Sequence, residues 1–535
     1  MTPANLPRLE KAWNKGDLKT AYGLALGMAS QGVQHPLPLR IAAEAEMNAG
    51  RFAAAGDLLN RALRFNPADP DALCALAVLL HREGRVDESL NVFGQVLNLA
   101  PNHARGWLWL GLSLAVLDAD GEALKALARA ADVAPKDPAP RAVTADILLR
   151  AGQLDDAGAM ADKALKLDPF HPLANCIKGR VELSHRQTEA ARSRMERLLV
   201  RGRMSLTERH TALQILGDAL DRLGRIPEAF SAYGRMNQAI VEQHRQRLGP
   251  GGPVEDHLHF IQRLARAYAA APAVRWSAAP QEIAPSPVRG HVFVLGYPRS
   301  GNTLAASVLG ALPGAVVLEE RPTLADADWA FLRDEEAVAR LADLSGDEAE
   351  QQRAAYWARV RQDAPEVDGK LFIDMSPMDG VKLPMIRKLF PRARIVVCRR
   401  DPRDVVLSCY RQNFRANAST FQMTSLEGAA RHFDAAMQLL QDNLARVGAE
   451  GTDWFDLSYE PFVADFEANA RRLVAFAGED WNQAALNFSA AASQRKLRTA
   501  SAQQVRGGLF DGSGKWKPYA AQLQPVMGLL ERWAR

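Results

Sequence analysis

The apolar and small residues of this chain keep two different rhythms. Up to about residue 207 they recur every 34 residues: Gly16, Gly50, Gly84 and Gly152 share one register, with Asp118 in the place a fifth glycine would take. A second register holds Ala21, Ala55, Ser89, Ala123, Ala157 and Ala191, and a third holds Ala43, Ala77, Gly111, Ala145 and Gly179. Prolines fall on the same spacing at Pro67, Pro101, Pro135 and Pro169. A unit with a turn residue, two sets of close-packing residues and a proline predicts one pair of amphipathic helices per repeat. Six pairs are expected between about residues 2 and 207, followed by a last pair out of phase, marked by Gly224 and Ala229. Stacked pairs of this kind curl into a superhelix with a concave groove, which can hold a peptide or partner, pack on a second domain, or dimerise.

From residue 290 the rhythm changes to short apolar, β-branched runs, at 291–295, 315–318, 371–373, 394–398 and 454–457, separated by helix-length intervals. Buried strands alternating with helices predict a parallel sheet covered on both faces, a three-layer α/β/α domain. Between the halves, a polar helix over 228–247 stops at the Leu-Gly-Pro-Gly-Gly-Pro of 248–253. Another helix is expected over 255–270, then an extended, proline- and alanine-rich connection over 271–290. The expected division is a helical repeat domain at 1–247, a linker with one helix at 248–289, and an α/β domain at 290–535.

Composition alters this picture little. A net charge of +4 over 535 residues suits a small anionic ligand and does not call for nucleic acid. Cys74, Cys176, Cys398 and Cys409 are too scattered for a metal site, and Cys398 lies in an apolar run where a packed thiol belongs. The first residues lack a signal core and no run approaches eighteen apolar residues, so a cytoplasmic protein without a membrane span is expected.

The candidate chemistry sits at the ends of the expected strands, where ligands of parallel sheets collect. After the first strand, a loop with Gly296 and Gly301 runs into a helix beginning near Asn302. Loop N–H groups and a helix N-terminus converge there on one anion. Against the nucleotide loop G-x-x-x-x-G-K-[ST], the glycines and Thr303 fit, but Asn302 stands where the lysine belongs and the loop carries Arg299. The phosphate cradle is kept and the triphosphate lysine is not. The second strand ends in Glu319, Glu320 and Arg321. The fourth ends in Arg399 and Arg400, with Ser408 two turns into the helix that opens at Pro402. Arg400 and Ser408 together make a second anion site.

These residues resemble the sulfotransferase family. The segment 297–303 (Tyr-Pro-Arg-Ser-Gly-Asn-Thr) is similar to its 5′-phosphosulfate loop, and 400–408 is similar to its 3′-phosphate motif. The likeness is to the tyrosylprotein sulfotransferases and their bacterial relatives carrying tetratricopeptide repeats, a repeat family the first half also resembles. Tyr459-Glu460, Trp481, the segment 501–505 and Lys515-Trp516 extend the likeness. It implies a P-loop-like fold and, as donor, 3′-phosphoadenosine 5′-phosphosulfate, leaving 3′-phosphoadenosine 5′-phosphate as product, without metal. It implies that Arg299, Ser300, Gly301, Asn302 and Thr303 hold the 5′-phosphosulfate, that Arg400 and Ser408 hold the 3′-phosphate, and that Tyr459 and Lys515 line the nucleotide. Glu320 would be the general base, with Arg299 and Ser501 assisting at the sulfuryl end. The acceptor would be a hydroxyl or amine on a peptide, saccharide or small molecule, recruited through the repeats. Two features depart from the family. Met375 replaces the lysine of the Ile-Asp-Lys-x-Pro segment, so that Arg299 acts alone, Lys382 or Lys370 reaches in, or turnover is weak. Pro322 stands where the tyrosylprotein enzymes have a peptide-reading arginine. The alternatives are a repeat scaffold whose second domain has lost activity, and a P-loop kinase with a degenerate loop.

Overall fold

The computed structural model describes residues 5–277, 280, 284–448, 454–494 and 501–534. The expected start at residue 2 and parts of the connection, at 278–279 and 281–283, lie outside these residues. The chain divides into two compact units, Met1–Glu208 and Arg209–Arg535.

The first unit contains the six expected pairs: Leu6–Asn14 with Leu18–Ser30, Pro36–Asn48 with Phe52–Phe65, Pro70–Arg82 with Val86–Leu99, Ala104–Val116 with Asp120–Val133, Ala139–Arg150 with Leu154–Leu167, and Pro172–Ser184 with Thr188–Arg201. The turn register is left-handed, φ being +70° at Gly16 and +82° at Gly152, and Asp118 adopts φ +61° in the same place. An aspartate tolerates that conformation better than most side chains, which is why the period survives there without glycine. The small registers mark close helix crossings. A Cβ on Gly111 would lie 2.7 Å from Leu127 Cγ, and the buried Ser89 hydroxyl donates to the Ala77 carbonyl at 2.9 Å.

The second unit is built on a five-stranded parallel sheet: β1 Gly290–Leu295, β2 Ala315–Glu319, β3 Leu371–Met375, β4 Arg394–Arg399 and β5 Trp454–Ser458, in the order β2-β3-β1-β4-β5. Alternate residues face opposite layers. Val292, Val294, Ile373, Val396 and Cys398 join one apolar core with the helices Asn302–Gly310 and Phe466–Phe476. His291, Phe293 and Phe372 pack in an aromatic cluster with Tyr356, Trp357 and Phe390. Because β1 is central, its loop lies between the tips of β3 and β4, at the topological switch point.

Two features differ from the sequence reading. The connection after residue 270 is not extended throughout: Ala273–Ser277 is a short helix. Trp276 draws it inward, 1% exposed, edge-on to Tyr268 at 5.2 Å and donating its indole N–H to the Tyr268 carbonyl. The last helix pair, Leu206–Arg222 and Ile226–Leu248, is grouped by its packing with the α/β unit rather than with the repeats before it. Asn237 donates to the Tyr410 carbonyl at 2.9 Å, and Arg411 pairs with Asp221 at 2.7 Å. Among the described residues no helix is long and apolar enough to cross a membrane.

Candidate active site

The strand order sets out the site along the carboxyl edge of the sheet: Glu320 after β2, Ser376 after β3, the loop 296–301 after β1, Arg400 after β4 and Tyr459 after β5. Neighbouring tips stand about 5 Å apart, so Arg400 adjoins the loop while Glu320 lies two strands to its other side.

The loop is held from within. Asn302, 3% exposed, donates to the Tyr297 carbonyl at 2.7 Å, and the Ser300 N–H donates to the same carbonyl at 3.2 Å. Ser300 and Thr303 are buried, and Gly301 caps the helix Asn302–Gly310 with φ +101°. A Cβ at Gly301 would lie 2.9 Å from the Tyr459 ring. Gly301→Ala therefore combines left-handed strain of ~1–3 kcal/mol with a clash. It is expected to lower stability in urea titrations by about that much, and to weaken nucleotide binding in calorimetry.

Two arginines converge on the loop. Arg299, half-buried with φ +71°, donates from Nε to Ser408 Oγ at 2.9 Å, from Nη1 to Ser501 Oγ, and from Nη2 to Gln504 Oε1 at 3.0 Å. Burial, then the nearby Arg400 charge, lower its pKa, while the Cys409 thiol opposes this. Arg400 donates to the Arg299 carbonyl at 3.0 Å and the Gly512 carbonyl at 2.5 Å, with its guanidinium 4.6 Å from the Tyr459 ring centroid. Its buried Nε has no partner among the described residues. Neither arginine forms an ion pair among those residues. Two half-buried guanidiniums in no ion pair among the described residues, with Asp404 acting on Arg400 only from beyond ion-pair distance, make a site for an anion carrying more than one charge.

The residues 501–516 close over this cluster. Tyr459 donates to the Phe510 carbonyl at 2.5 Å, and the buried Asp404 accepts from the N–H groups of Gly514 (2.7 Å) and Trp516 (2.8 Å). Sequence reasoning missed Gln504, Phe510, Gly512 and Asp404. Gln504, within the segment 501–505, and Asp404, within the motif at 400–408, carried a signal, and neither was given a role. Lys515 is exposed, its Nζ 5.8 Å from the Phe510 ring.

Glu320 stands apart from the arginines. It is exposed, yet enough protein surrounds it to raise its pKa by desolvation. Its N–H donates to the Met375 carbonyl at 2.8 Å, and its φ is +52°. Of the four non-glycine residues with positive φ among those described, Asp118 and Arg186 are in the repeat unit, and the other two are Arg299 and Glu320. Such strain collects where a fold over-determines a working residue.

Residues 291–483 match the sulfotransferase family model, and residues 46–111, 121–172, 142–199 and 178–240 match tetratricopeptide repeat models. The second unit carries a sulfotransferase-family domain. Among curated relatives, an uncharacterized protein of Aquifex aeolicus (strain VF5) is 24% identical over 72% of this chain and 49% of its own length. Protein-tyrosine sulfotransferase A of Caenorhabditis elegans is 24% identical over 45% of this chain and 66% of its own. The chain thus spans about half of the first relative and about two thirds of the second. Solved structures similar to this chain include PilF of Pseudomonas aeruginosa (18% identity, 40% of this chain, 91% of that one, TM-score 0.32). A thermophilic tetratricopeptide-repeat protein of Thermus thermophilus is also similar (25%, 34% and 97%, TM-score 0.30).

Within the sulfotransferase domain, Met375 is fully buried in the apolar core beneath the sheet. Neither lysine considered as its substitute is free to act. Lys382 is held by Asp328 (2.7 Å) and Asp379 (2.8 Å), and Lys370 precedes β3, at the opposite edge of the sheet.

A buried chain also runs back from the loop. Tyr297 Oη lies 2.7 Å from His432 Nδ1, and His432 Nε2 lies 2.8 Å from His257 Nδ1. Burial lowers the pKa of His432 to about 3, of His257 to about 4 and of His291 to about 3. Between about pH 4 and 6.5 the unfolded chain takes up three protons that the folded chain refuses, so stability rises with pH across that window. Asp374, raised to about 7 by burial, opposes one of the three. The net contribution of these four groups is about two protons, ~3 kcal/mol per pH unit at most. The urea midpoint is expected to fall clearly between pH 6.5 and 5, and a flat profile would contradict these burials.

Proposed function

We propose that residues 290–535 transfer a sulfuryl group from 3′-phosphoadenosine 5′-phosphosulfate to a hydroxyl or amine of an acceptor, and that the repeats recruit that acceptor or a partner protein. The observation that supports this best is the pair of half-buried arginines, Arg299 and Arg400, neither in an ion pair among the described residues, with Arg400 donating to the Arg299 carbonyl and Arg299 donating to Ser408 on the helix after β4. The site's cationic donors suit two separate phosphate groups. The donor supplies an activated sulfur whose bridging oxygen leaves on the 5′-phosphate.

Arg299, with the N–H groups around Ser300, Gly301, Asn302 and Thr303, holds the 5′ end and neutralises the oxygen that departs. Arg400 and Ser408 hold the 3′-phosphate, and Tyr459 and Lys515 line the nucleotide. Glu320 accepts the acceptor's proton as its oxygen bonds to sulfur and the sulfur–bridging-oxygen bond breaks. Ser501 hydrogen-bonds the departing group alongside Arg299. Catalysis is then positioning and charge neutralisation, as in phosphoryl transfer. With Met375 apolar and buried, Arg299 is the cation of the sulfuryl end.

The test has two parts. Calorimetric titration with 3′-phosphoadenosine 5′-phosphate should give saturable, magnesium-independent binding, and its absence would sink the reading. Labelled donor incubated with a host-cell extract should then label a product with the wild type and not with Glu320→Gln. Binding without any labelled product would favour a nucleotide-binding scaffold instead.

A further inference from the structure

Four side chains with no part in this chemistry form a buried polar chain that ends on the turn carrying Glu320. Asp374, on β3 and 1% exposed, accepts at Oδ2 from Tyr356 Oη and from Thr323 Oγ1, each at 2.8 Å. Tyr356 Oη also meets His291 Nε2 at 2.9 Å. A phenol has one proton, and Tyr356 gives it to Asp374, so the His291 ring donates from Nε2. Asp374 Oδ1 has no partner among the described residues. The rings of Phe293, Trp357, Phe372 and Phe390 pack around His291, and the Asp379 and Lys382 charges act on Asp374.

A carboxyl group this deeply buried, with one oxygen unpartnered among the described residues, is a poor way to stabilise a sheet. An apolar side chain of similar volume would do so at least as well. What an apolar side chain could not do is hold the Thr323 hydroxyl. Thr323 is 3% exposed and lies three residues beyond Glu320. Its N–H donates to the Arg321 carbonyl at 2.8 Å, and Arg321 is paired with Asp363 at 3.0 Å. The turn 320–323 is thus fixed to β3 twice, by the Glu320 N–H on the Met375 carbonyl and by Thr323 on the Asp374 side chain. The anchored residues of β3 are consecutive. Between the two anchors Glu320 keeps a left-handed backbone, which a free glutamate would leave for a conformation about 1–2 kcal/mol lower.

We propose that Asp374, acting through Thr323, is a positioning residue for Glu320, holding the 320–323 turn in its left-handed form against β3 so that the carboxylate stays at the strand tip. This rests on the reading of Glu320 as the proton acceptor.

The experiment compares the full chain with Thr323→Val, which removes the hydroxyl at nearly constant shape, and Thr323→Ser, which keeps it. Amide exchange at Glu320 should quicken roughly tenfold in Thr323→Val and stay near wild type in Thr323→Ser. The Glu320 carboxyl, followed by carbon NMR, should titrate closer to an ordinary glutamate in the valine variant. Affinity for 3′-phosphoadenosine 5′-phosphate should not change in either. Asp374→Asn should act in the same direction, and the double variant Asp374→Asn/Thr323→Val should add little to the single changes, as residues in one linkage do. Unchanged exchange and titration in Thr323→Val, or full additivity, would overturn the anchor. Faster exchange beside a Glu320→Gln variant that still transfers label would uphold the anchor and overturn its purpose, so the two failures are told apart.

Discussion

Arg400→Ala is expected to weaken binding of 3′-phosphoadenosine 5′-phosphate by about 100-fold, with only a small loss of thermal stability. Losing one partner of a half-buried, hydrogen-bonded charge pair costs about 2–5 kcal/mol of binding, and ~3 kcal/mol is roughly two orders of magnitude in Kd. Folding depends on this side chain much less. Its protein partners are two carbonyls, of Arg299 and Gly512, and the face of Tyr459. Arg299 is half-buried, so water can replace the guanidinium N–H at its carbonyl, and only the carbonyl of the buried Gly512 loses its partner outright, which holds the folding cost to ~1–2 kcal/mol. Arg400→Lys should fall between, because an ammonium keeps the charge but not the planar fork that lies on Tyr459. Calorimetry of the three proteins at one ionic strength checks the series, and equal affinities would place the 3′-phosphate elsewhere.

The parts of this molecule that were legible in its sequence are those in which one local pattern carries the information. The five strands lie within two residues of the runs read for them, because the central β1, β3 and β4 are buried through most of their length as continuous apolar segments and the half-buried edge strands β2 and β5 keep shorter apolar runs. The six repeat pairs follow from a period that several residue types share. The meeting of Arg299 with Ser408 is also foreshadowed, since each lies in a motif at a strand end. Ser501, 202 positions from Arg299, was reached only through family resemblance. The carbonyls of Phe510 and Gly512 left no trace, because a backbone acceptor has no residue identity to read. The chain His291–Tyr356–Asp374–Thr323 draws on four separate segments and was equally silent. The short helix at 273–277 forms for a tertiary reason, the burial of Trp276, and so does the allegiance of the last helix pair.

That allegiance centres on Arg411, which no motif marks, and Arg411→Ala is expected to lower the unfolding free energy by about 3 kcal/mol. Arg411 is the C-cap of the helix Pro402–Tyr410 and binds Asp221 at 2.7 Å, with its guanidinium 5.1 Å from the Tyr233 ring and 5.4 Å from the Tyr519 ring. Tyr519 also donates to Asp221, and Tyr233 donates to Asp218 at 2.8 Å. Arg411 is placed between these two aspartates and two tyrosines, with Arg222 also acting on Asp218. Burial raises the pKa of Asp218, and the Arg411 charge is the first influence opposing it. Removing that charge raises the carboxyl pKa further, so the folded variant takes up a proton that the unfolded chain lacks. The variant's deficit should therefore shrink as pH falls, which urea titrations across a pH series can measure. A deficit independent of pH would mean that Arg411 acts by packing alone. The same helix carries Ser408, and Tyr519 follows Lys515 by four residues, so nucleotide binding should weaken too, but by less than in Arg400→Ala. The two variants should then rank oppositely, Arg411→Ala losing mainly stability and Arg400→Ala mainly affinity. That crossing is the behaviour expected if the last helix pair supports the helix behind the proposed 3′-phosphate site without touching the ligand.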